Sequence, residues 1–260
     1  MRQFITCDLI GRLGNQLFQC FSTISTAKRF GIDWYIPRQT ISPETWEFYF
    51  DECNLPVLAK NLEMEYLKCV YQESADHSYA EIPYIGKSFK INGFFQSEKY
   101  FIDARPEILE AFSCLFDGET YQDTVSIHIR RGDYLQYSDS FPPVTGEYLD
   151  KAIKYFTDKN LTNFMVFSDD INWCKNYFAS YPESVTFDYS EGRTPIEDIK
   201  QMIKCSHNII SNSSFSWMGA WLNKNENKIV VSPSSDNWFG ASTGLCTKDV
   251  IPESWVQIKF

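Results

Sequence analysis

The residues best suited to bind an anion form one short polar run, His128-Ile-Arg-Arg-Gly-Asp-Tyr134. The guanidinium groups of Arg130 and Arg131 can each hold a phosphate through two N–H donors, and the adjacent glycine suits a loop that approaches a ligand. This pattern favours a phosphate or diphosphate site. The alternative is a loop closed by a salt bridge to Asp133, and His128 is expected to form hydrogen bonds rather than bind a metal.

Two adjacent carboxylates follow a predicted strand at Ser168-Asp169-Asp170. These carboxylates could bind the hydroxyls of a ribose or the N–H groups of a purine. They could equally cap the next helix, because acidic side chains are favoured at the positive end of a helix. The sequence leaves both alternatives open.

A third polar run, Asn212-Ser-Ser-Phe-Ser216, joins a predicted strand to a predicted helix. Backbone N–H groups at a helix start attract anions, and small hydroxyl side chains add further donors. A single capping serine is the simpler alternative, but four amide or hydroxyl side chains in five residues exceed what one cap requires. We therefore expect an anion site here.

These three runs need a scaffold that brings them together, and the second half of the chain alternates predicted strands with helices. The strands are expected at residues 124–130, 164–168, 185–187, 208–211 and 228–232, and helices at 148–156, 171–178 and 215–222, with a fourth beginning at Thr194. Short connections of this kind predict a parallel sheet with right-handed crossovers. Ligands bind beyond the carboxyl ends of such strands, where all three runs fall.

The best-defined helix start is Thr194-Pro-Ile-Glu197. Threonine can cap, proline fits the first helical position, and the glutamate completes a capping box. Ile196, Ile199 and Ile203 are predicted to form the buried stripe of this helix.

The first half opens with a predicted strand at 4–10, a turn at Gly11–Gln16, a helix from Leu17 to about Gly31 and a strand at 34–36. The turn lacks the G-x-G-x-x-G spacing and is weak evidence for a phosphate loop. A strand at 89–95 and a helix at 106–116 are also expected. The polar segment 117–123 predicts a boundary between domains of residues 1–120 and 121–260.

Composition excludes several classes of function. The formal charge of −10 over 260 residues argues against broad binding to nucleic acid or to an anionic membrane. We expect no signal peptide and no membrane span, since no apolar run approaches about 20 residues. The eight cysteines lack C-x-x-C spacing and are expected to be free thiols in a reducing compartment. No D-x-D pair, which holds a divalent metal in many nucleotide-sugar enzymes, is present.

Four motifs in order resemble the α-1,2-fucosyltransferases, which form glycosyltransferase family 11. They are Gly11-Arg-Leu-Gly-Asn-Gln16, His128-Ile-Arg-Arg-Gly-Asp-Tyr134, Phe167-Ser-Asp-Asp170 and Asn212-Ser-Ser-Phe-Ser-Trp217. The resemblance implies an α/β fold of the GT-B type, with two Rossmann-like domains facing a central cleft. Residues 1–120 would form the acceptor side and residues 121–260 would bind the GDP-sugar. Acceptor selection is expected within residues 40–110, where the resemblance is weak.

The resemblance also implies a reaction. GDP-β-L-fucose would be the co-substrate, with no cofactor and no metal, and fucose would pass with inversion to the 2-hydroxyl of a terminal galactose. The acceptor would be a galactose-containing oligosaccharide or lipid-linked glycan. A cytoplasmic enzyme is expected, with peripheral attachment at the inner membrane as a variant. The alternatives are another nucleotide-sugar transferase of this fold, a non-catalytic glycan-binding protein, or a sugar-phosphate hydrolase.

Site residues follow in three groups. The catalytic candidates are Arg130 on the diphosphate, Asp133 as first candidate for the base (Glu147 being a weaker one) and Asn15. The expected donor-binding residues are Arg12, Gly14, His128, Arg131, Ser168, Asp169, Asn212, Ser213, Ser214 and Phe215. Gln96, Glu98 and Tyr100 are candidates for the acceptor side, with packing in the core as the alternative.

Overall fold

The structure is a computed structural model that describes residues 3–38, 47–58, 67 and 69–260. It divides into two compact units. The first unit is Met1–Phe116 with Lys248–Val250, and the second is Asp117–Thr247 with Ile251–Phe260. Both units contain a parallel sheet, which confirms the α/β class. Residues 40–46, 59–66 and 68 of the segment expected to select the acceptor lie outside the described residues.

The first unit carries a four-stranded parallel sheet in the order β2-β1-β6-β5 and a separate pair, β3-β4. Its elements are β1 (Phe4–Cys7), α1 (Leu13–Phe30), β2 (Asp33–Trp34), β3 (Ile36–Pro37), β4 (Val57–Leu58), β5 (Val70–Gln72), β6 (Phe89–Asn92) and α2 (Arg105–Ala111). The strand predicted at 34–36 is therefore two short strands in different sheets. The helix predicted at 106–116 ends at Ala111 and is followed by a 3₁₀ turn, Ser113–Leu115.

Helix α1 begins four residues earlier than the apolar pattern predicts. Gly11 has φ +80°, and this one left-handed residue turns the chain so that Arg12 is already the N-cap. Gly14 and Asn15 consequently lie in the first turn of the helix rather than in a loop. The helix ends as predicted, because Gly31 adopts the left-handed conformation of a C-cap.

The second unit is a six-stranded, fully parallel sheet in the order β12-β11-β10-β7-β8-β9. Its elements are β7 (Tyr121–Ile129), α3 (Gly132–Gln136), α4 (Gly146–Thr157), β8 (Asn163–Ser168), α5 (Ile171–Phe178), β9 (Thr186–Tyr189), α6 (Pro195–Lys204), β10 (Cys205–Ile209), α7 (Ser214–Leu222), β11 (Val230–Pro233) and β12 (Val256–Ile258). The alternation predicted for this half is confirmed. The edge strand β12 and the short helix α3 were not predicted.

Apolar side chains of the central strands and of α4 form the core of this unit. Val125 and Ile127 of β7 and Val166 of β8 are fully buried against Ile153 and Phe156 of α4. The predicted capping box of α6 is present, with Thr194 and Glu197 as its two partners. Its buried face consists of Ile199, Met202 and Ile203, whereas the predicted Ile196 is only part-buried.

One prediction about the cysteines is wrong. Cys53 and Cys114 form a disulfide in the first unit, across 61 positions of the sequence. The remaining six cysteines are free thiols, and Cys7, Cys20, Cys174 and Cys205 among them are buried. The fold brings segment 47–58 against the 3₁₀ turn Ser113–Leu115, and no spacing rule for cysteines predicts a pair so distant in the sequence.

Candidate functional site

The three polar runs of the second unit meet at one edge of its sheet. They follow β7, β8 and β10, which are adjacent and parallel, so their carboxyl ends lie side by side. Direct contacts join the runs. Tyr134 donates a hydrogen bond from its hydroxyl to the Asn212 carbonyl (3.1 Å), and His128 Nδ1 lies 2.9 Å from the Ser211 hydroxyl.

Arg130 is held by two carboxylates. Its Nε and Nη2 lie 2.9 Å and 2.7 Å from Asp133 Oδ1, and its Nη1 lies 2.8 Å from Asp169 Oδ2. The side chain is 19% exposed, and its Cζ lies 5.8 Å from the centre of the Tyr134 ring. The salt bridge to Asp133, which the sequence left as an alternative, is therefore formed. The salt bridge fixes the orientation of the guanidinium. Together with the contact to Asp169 it uses three of the five N–H groups.

Arg131 points to the start of α5. Its guanidinium stacks on Trp173, 3.9 Å from the ring centre, and its Nε donates to Asp170 Oδ2 at 3.2 Å. Its backbone N–H donates to Asp169 Oδ1 at 2.9 Å. These contacts give Arg131 a packing role that its position beside Arg130 in the sequence does not reveal.

The two carboxylates of the second run have different surroundings. Asp170 caps α5, accepting from the Trp173 N–H at 3.1 Å, while the Ser168 hydroxyl accepts from the Asp170 N–H at 3.0 Å. Asp169 instead reaches back to the loop after β7. A Cβ at Gly132 would lie only 2.7 Å from Asp169 Oδ2, so a side chain at this position would displace the Asp169 carboxylate. Of the two alternatives for these residues, capping describes Asp170.

His128 is buried beneath the edge, with 5% of its surface exposed and its ring centre 5.2 Å from that of Phe215. Burial, followed by the charge of Arg130, lowers the pKa of His128 to about 3. The imidazole is therefore neutral at physiological pH and serves as a hydrogen-bonding partner, as its type and position predicted.

Asn212 fixes two neighbouring loops. Its Nδ2 donates to the carbonyls of Pro142 and Trp238, each at 3.0 Å, and the residue is 2% exposed. Its Oδ1 is buried and accepts no hydrogen bond within the part of the chain that the structure describes. The donors expected to reach a ligand are thus used by the protein, and Asn212 acts by shaping the edge.

The start of α7 differs from the starts of α5 and α6, which both have a side-chain cap. Ser213 is its N-cap, but no side chain accepts a hydrogen bond from the first turn. The Ser216 hydroxyl turns back to the carbonyls of Ser211 and Ser213 at 3.5 Å and 3.4 Å. Because Ser213 does not cap, the simpler alternative for this run is wrong, and the N–H groups near Ser214 and Phe215 remain suited to an anion.

In the first unit, the candidate residues fall into two groups. Asn15 Oδ1 accepts from Gln96 Nε2 at 2.9 Å, which brings together two residues that are 81 positions apart. Arg12 is exposed at the N-cap of α1, and Gly14 is buried in the first turn of this helix. Tyr100 is 7% exposed and is packed edge-on against Tyr79 and Phe95, so the core alternative describes it. Glu98 lies in a 3₁₀ turn, Glu98–Tyr100.

Sequence reasoning missed several residues that organise these edges. Glu73 binds the backbone after β6 with its buried carboxylate, and Gln19 donates to the Gly93 carbonyl at 3.1 Å. Tyr148 donates from α4 to the Ile210 carbonyl at 2.6 Å. A polar residue directly after a strand was the available signal for Glu73, but the weak periodicity of residues 40–120 hid the strand itself. Glu147, the weaker base candidate, forms an exposed ion pair with Lys151.

Among the residues that the structure describes, no group of three or more histidine, cysteine, aspartate or glutamate side chains is arranged to hold a metal ion. Helices long and apolar enough to cross a membrane are likewise not found among these residues.

Two units with parallel sheets, the second with paired arginines and aspartates after its central strands, define an α/β protein. The chain belongs to Glycosyl transferase family 11, whose family model matches residues 1–259.

Relatives and solved structures add detail. An α-1,2-colitosyltransferase of Escherichia coli is 35% identical over 66% of this chain and 63% of its own length. The O-antigen biosynthesis glycosyltransferase WbnK of the same species is 42% identical over 52% of this chain and 45% of its own. Galactoside 2-alpha-L-fucosyltransferase SEC1 of Bos taurus is 26% identical over 84% and 64%. The chain thus spans less than two thirds of the length of each. POFUT1 in complex with GDP-fucose aligns over 88% of this chain and 97% of its own, with 12% identity and a TM-score of 0.49.

Proposed function

We propose that this glycosyltransferase moves L-fucose from GDP-β-L-fucose to the 2-hydroxyl of a terminal galactose on a glycan, forming an α-1,2 linkage with inversion. Membership of family 11 and the α-1,2 linkage in a relative's name support the linkage, and the mammalian relative's name supports fucose and a galactoside. The observation that carries the proposal is the meeting of the polar runs at one edge of the sheet, where Arg130 follows β7 and the start of α7, which has no side-chain cap, follows the adjacent strand β10.

In this proposal the second unit binds the donor. The diphosphate contacts Arg130 and the backbone N–H groups near Ser213, Ser214 and Phe215. Departure of GDP builds negative charge on the diphosphate, and fixed donors stabilise that charge without reorganising. A guanidinium has five N–H groups, of which contacts to Asp133 and Asp169 use three. Two remain for phosphate oxygens, so we propose a reaction that needs no metal ion.

The 2-hydroxyl of the acceptor must lose a proton as it attacks, and we propose Asp133 as the base. Its side chain is 42% exposed, and its Oδ1 takes both contacts from Arg130, which leaves Oδ2 for a substrate. Asp133 also orients Arg130, so the two roles need separation. Turnover retained in Asp133→Asn would exclude the base role and leave only the positioning role.

The first unit supplies the acceptor side. We assign Asn15 and Gln96 to substrate contacts as a hydrogen-bonded pair, with Glu98 nearby in the same loop. Tyr100 is assigned to packing because its hydroxyl already accepts from the Ala80 N–H at 3.3 Å.

A second candidate function has one specific observation in its favour. The α-1,2-colitosyltransferase relative indicates that a family member with 35% identity transfers a different sugar with the same linkage. The decisive experiment incubates the purified chain with GDP-fucose or GDP-colitose and a panel of galactosides, followed by NMR of the product linkage. Fucose on O2 of galactose is expected. If only colitose were transferred, GDP-colitose would replace GDP-fucose as the proposed donor. Release of free fucose without acceptor would indicate a hydrolase.

Arg130→Ala should reduce fucose transfer by about 10²–10³-fold, the usual cost of one fixed donor to a developing negative charge. Circular dichroism should show an unchanged fold, since the partners of Arg130 lie at the partly exposed strand edge. Arg193→Ala is the matched control, because Arg193 is an exposed arginine of the same unit that bonds to Ser190 at 2.9 Å. Near-normal turnover of Arg130→Ala would remove its proposed role, and loss of wild-type turnover with EDTA would remove the metal-free mechanism.

A further inference from the structure

A buried carboxylate binds the backbone of the loop that carries Gln96. Glu73 directly follows β5 and is 4% exposed. Its Oε2 accepts from the Phe94 N–H at 2.6 Å and its Oε1 from the Phe95 N–H at 2.9 Å. Both carboxylate oxygens are therefore occupied by two consecutive peptide groups just beyond the end of β6.

This loop has a backbone shape that needs support. Gly93 has φ +156° and Phe95 has φ +52°, a left-handed conformation that is unfavourable for a bulky side chain. A Cβ at Gly93 would lie 2.3 Å from the Cβ of Glu73, so the two backbones approach as closely as glycine permits. Gln19 donates to the Gly93 carbonyl from the other side. Such a shape persists only where the surroundings over-determine it.

The next residue of the loop is the one that contacts Asn15. Gln96 Nε2 donates to Asn15 Oδ1 at 2.9 Å, and the Oε1 of Gln96 is buried without a hydrogen-bond partner within the described residues. Asn15 in turn packs against Gly11, where a Cβ would lie 2.5 Å from Asn15 Nδ2. A continuous chain of contacts thus runs from the carboxylate of Glu73 through the loop to Asn15.

A glutamate is a costly residue for this position. Burial raises the pKa of Glu73 to about 6, although the two N–H donors act in the opposite direction. The titratable groups that face it are Tyr71, Asp76 and Tyr100, which are all acids and do not stabilise its charge. Only a carboxylate offers two acceptor oxygens to two N–H groups, because glutamine would turn its own NH₂ donor against one of them.

We propose that Glu73 is a positioning residue for the transfer reaction, and that its carboxylate fixes the 93–96 loop so that Gln96 holds Asn15 in one orientation. This inference rests on the proposed function, which places Asn15 and Gln96 against the substrates. Glu73 itself does not contact the reacting atoms.

The test compares Glu73→Gln, Gln96→Ala and the double variant with the wild-type chain in steady-state transfer from GDP-fucose to lactose. Each single variant should lose roughly tenfold in kcat, the rate equivalent of one hydrogen bond, with KM for GDP-fucose near the wild-type value. The double variant should be no slower than the slower single variant, because both changes break the same chain of contacts. Glu81→Gln, an exposed carboxylate paired with Arg29, is the control and should be unchanged.

The pH profile separates positioning from a merely structural role. Wild-type kcat should fall as the pH drops through about 6, since protonation of Glu73 removes one acceptor, and both single variants should lack this limb. The proposal would be overturned if kcat of Glu73→Gln equalled that of the wild type. It would also be overturned if the fold-losses in kcat of the two single variants multiplied in the double variant. If Glu73→Gln does not fold, the pH profiles of kcat for the wild type and Gln96→Ala still test the proposal. An identical fall of kcat at low pH in both proteins would contradict it.

Failure of the proposed function gives a different result. In that case the wild-type chain transfers no fucose, and hydrogen exchange replaces turnover as the measurement. Glu73→Gln should then accelerate exchange of the Phe94 and Phe95 amides by roughly tenfold. Exchange at residues 11–16 should accelerate by a smaller factor. Unchanged exchange at these amides would overturn the inference whatever the reaction is.

Discussion

At the scale of single residues, the site is organised by side chains that bind protein rather than ligand. Arg131 stacks on Trp173, and Asn212 donates to two carbonyls, although both belong to runs that the sequence singled out for anion binding. Arg130 contacts two carboxylates through three of its five N–H groups. A motif therefore marks the place of a site more reliably than it assigns the role of each member.

His128 makes the stability of the fold depend on pH. Its pKa is about 3 in the folded chain, whereas an unfolded histidine binds a proton near pH 6.5. The unfolded state therefore gains a proton first as the pH falls, and the stability present above pH 6.5 is lost progressively toward pH 3. Between pH 6.5 and 4.5 this group alone should lower the free energy of unfolding by about 2 to 3 kcal/mol.

Urea denaturation at these two pH values, for the wild-type chain and His128→Asn, measures this loss. The asparagine keeps a polar atom for the Ser211 hydroxyl but does not titrate, so its pH dependence should be weaker. His207→Asn is the control, because His207 is less buried and its pKa is lowered by burial to a smaller extent. An equal pH dependence in His128→Asn and the wild type would contradict the burial argument.

Residue types alone could not separate the alternatives for Asp169 and Asp170. The two are chemically identical and adjacent, yet one caps α5 and the other pairs with Arg130. Their roles depend on the direction in which the chain leaves β8, and on the space that Gly132 leaves open. Such information is in the tertiary structure, which a local pattern does not contain.

At the scale of elements, three helix starts in the second unit use different chemistry. Asp170 caps α5, Thr194 and Glu197 form a capping box on α6, and α7 has no side-chain cap. The box was predictable because all its signals lie within four residues. The absence of a cap on α7 was not, because Ser213 is a good capping residue whose side chain is turned elsewhere.

Asp170 should therefore behave as a cap and not as a nucleotide reader. Asp170→Ala should lower the free energy of unfolding by about 1 kcal/mol, while Asp170→Asn should retain most of the stability because asparagine caps equally well. Neither change should alter the affinity for GDP in calorimetry. Thr194→Ala is the matched control, since it removes a cap from α6 at a similar cost. Weaker GDP binding by both Asp170 variants at unchanged stability would restore the nucleotide-reading alternative.

Element boundaries were predictable where apolar periodicity was long and not elsewhere. Helix α5 has the bounds that the sequence predicts, and β8 differs by one residue. The two-residue strands β2 and β3 and the edge strand β12 carry too few residues for a pattern. Helix α1 began early because one left-handed glycine made the turn that six residues were expected to make.

At the scale of the whole chain, the net charge of −10 opposes the approach of an anionic donor. Because Arg130 and Arg131 are paired with Asp133, Asp169 and Asp170, attraction of the diphosphate depends on N–H donors at short range. Charges farther apart than about 8 Å are screened at physiological salt. The family match over residues 1–259 includes both units. Which unit binds the donor can therefore be measured in the whole chain.

We predict that GDP binds the second unit, and hydrogen exchange measured with and without GDP tests this for the whole chain. At a GDP concentration about 100 times Kd, amides whose opening abolishes binding should gain about 2.7 kcal/mol of protection.

The gain should be largest at residues 130–134 and at residues 212–216. The second range includes the start of α7, which has no side-chain cap. Residues 93–97 should change little, and the gain at residues 11–16, which include the expected donor-binding residues Arg12 and Gly14, should be smaller than in the second unit. ADP is the control ligand, since it brings the same diphosphate with a different base, and equal protection by both would locate recognition in the diphosphate alone. Protection confined to residues 11–16 and 93–97 would assign the donor to the first unit and reverse the proposed roles.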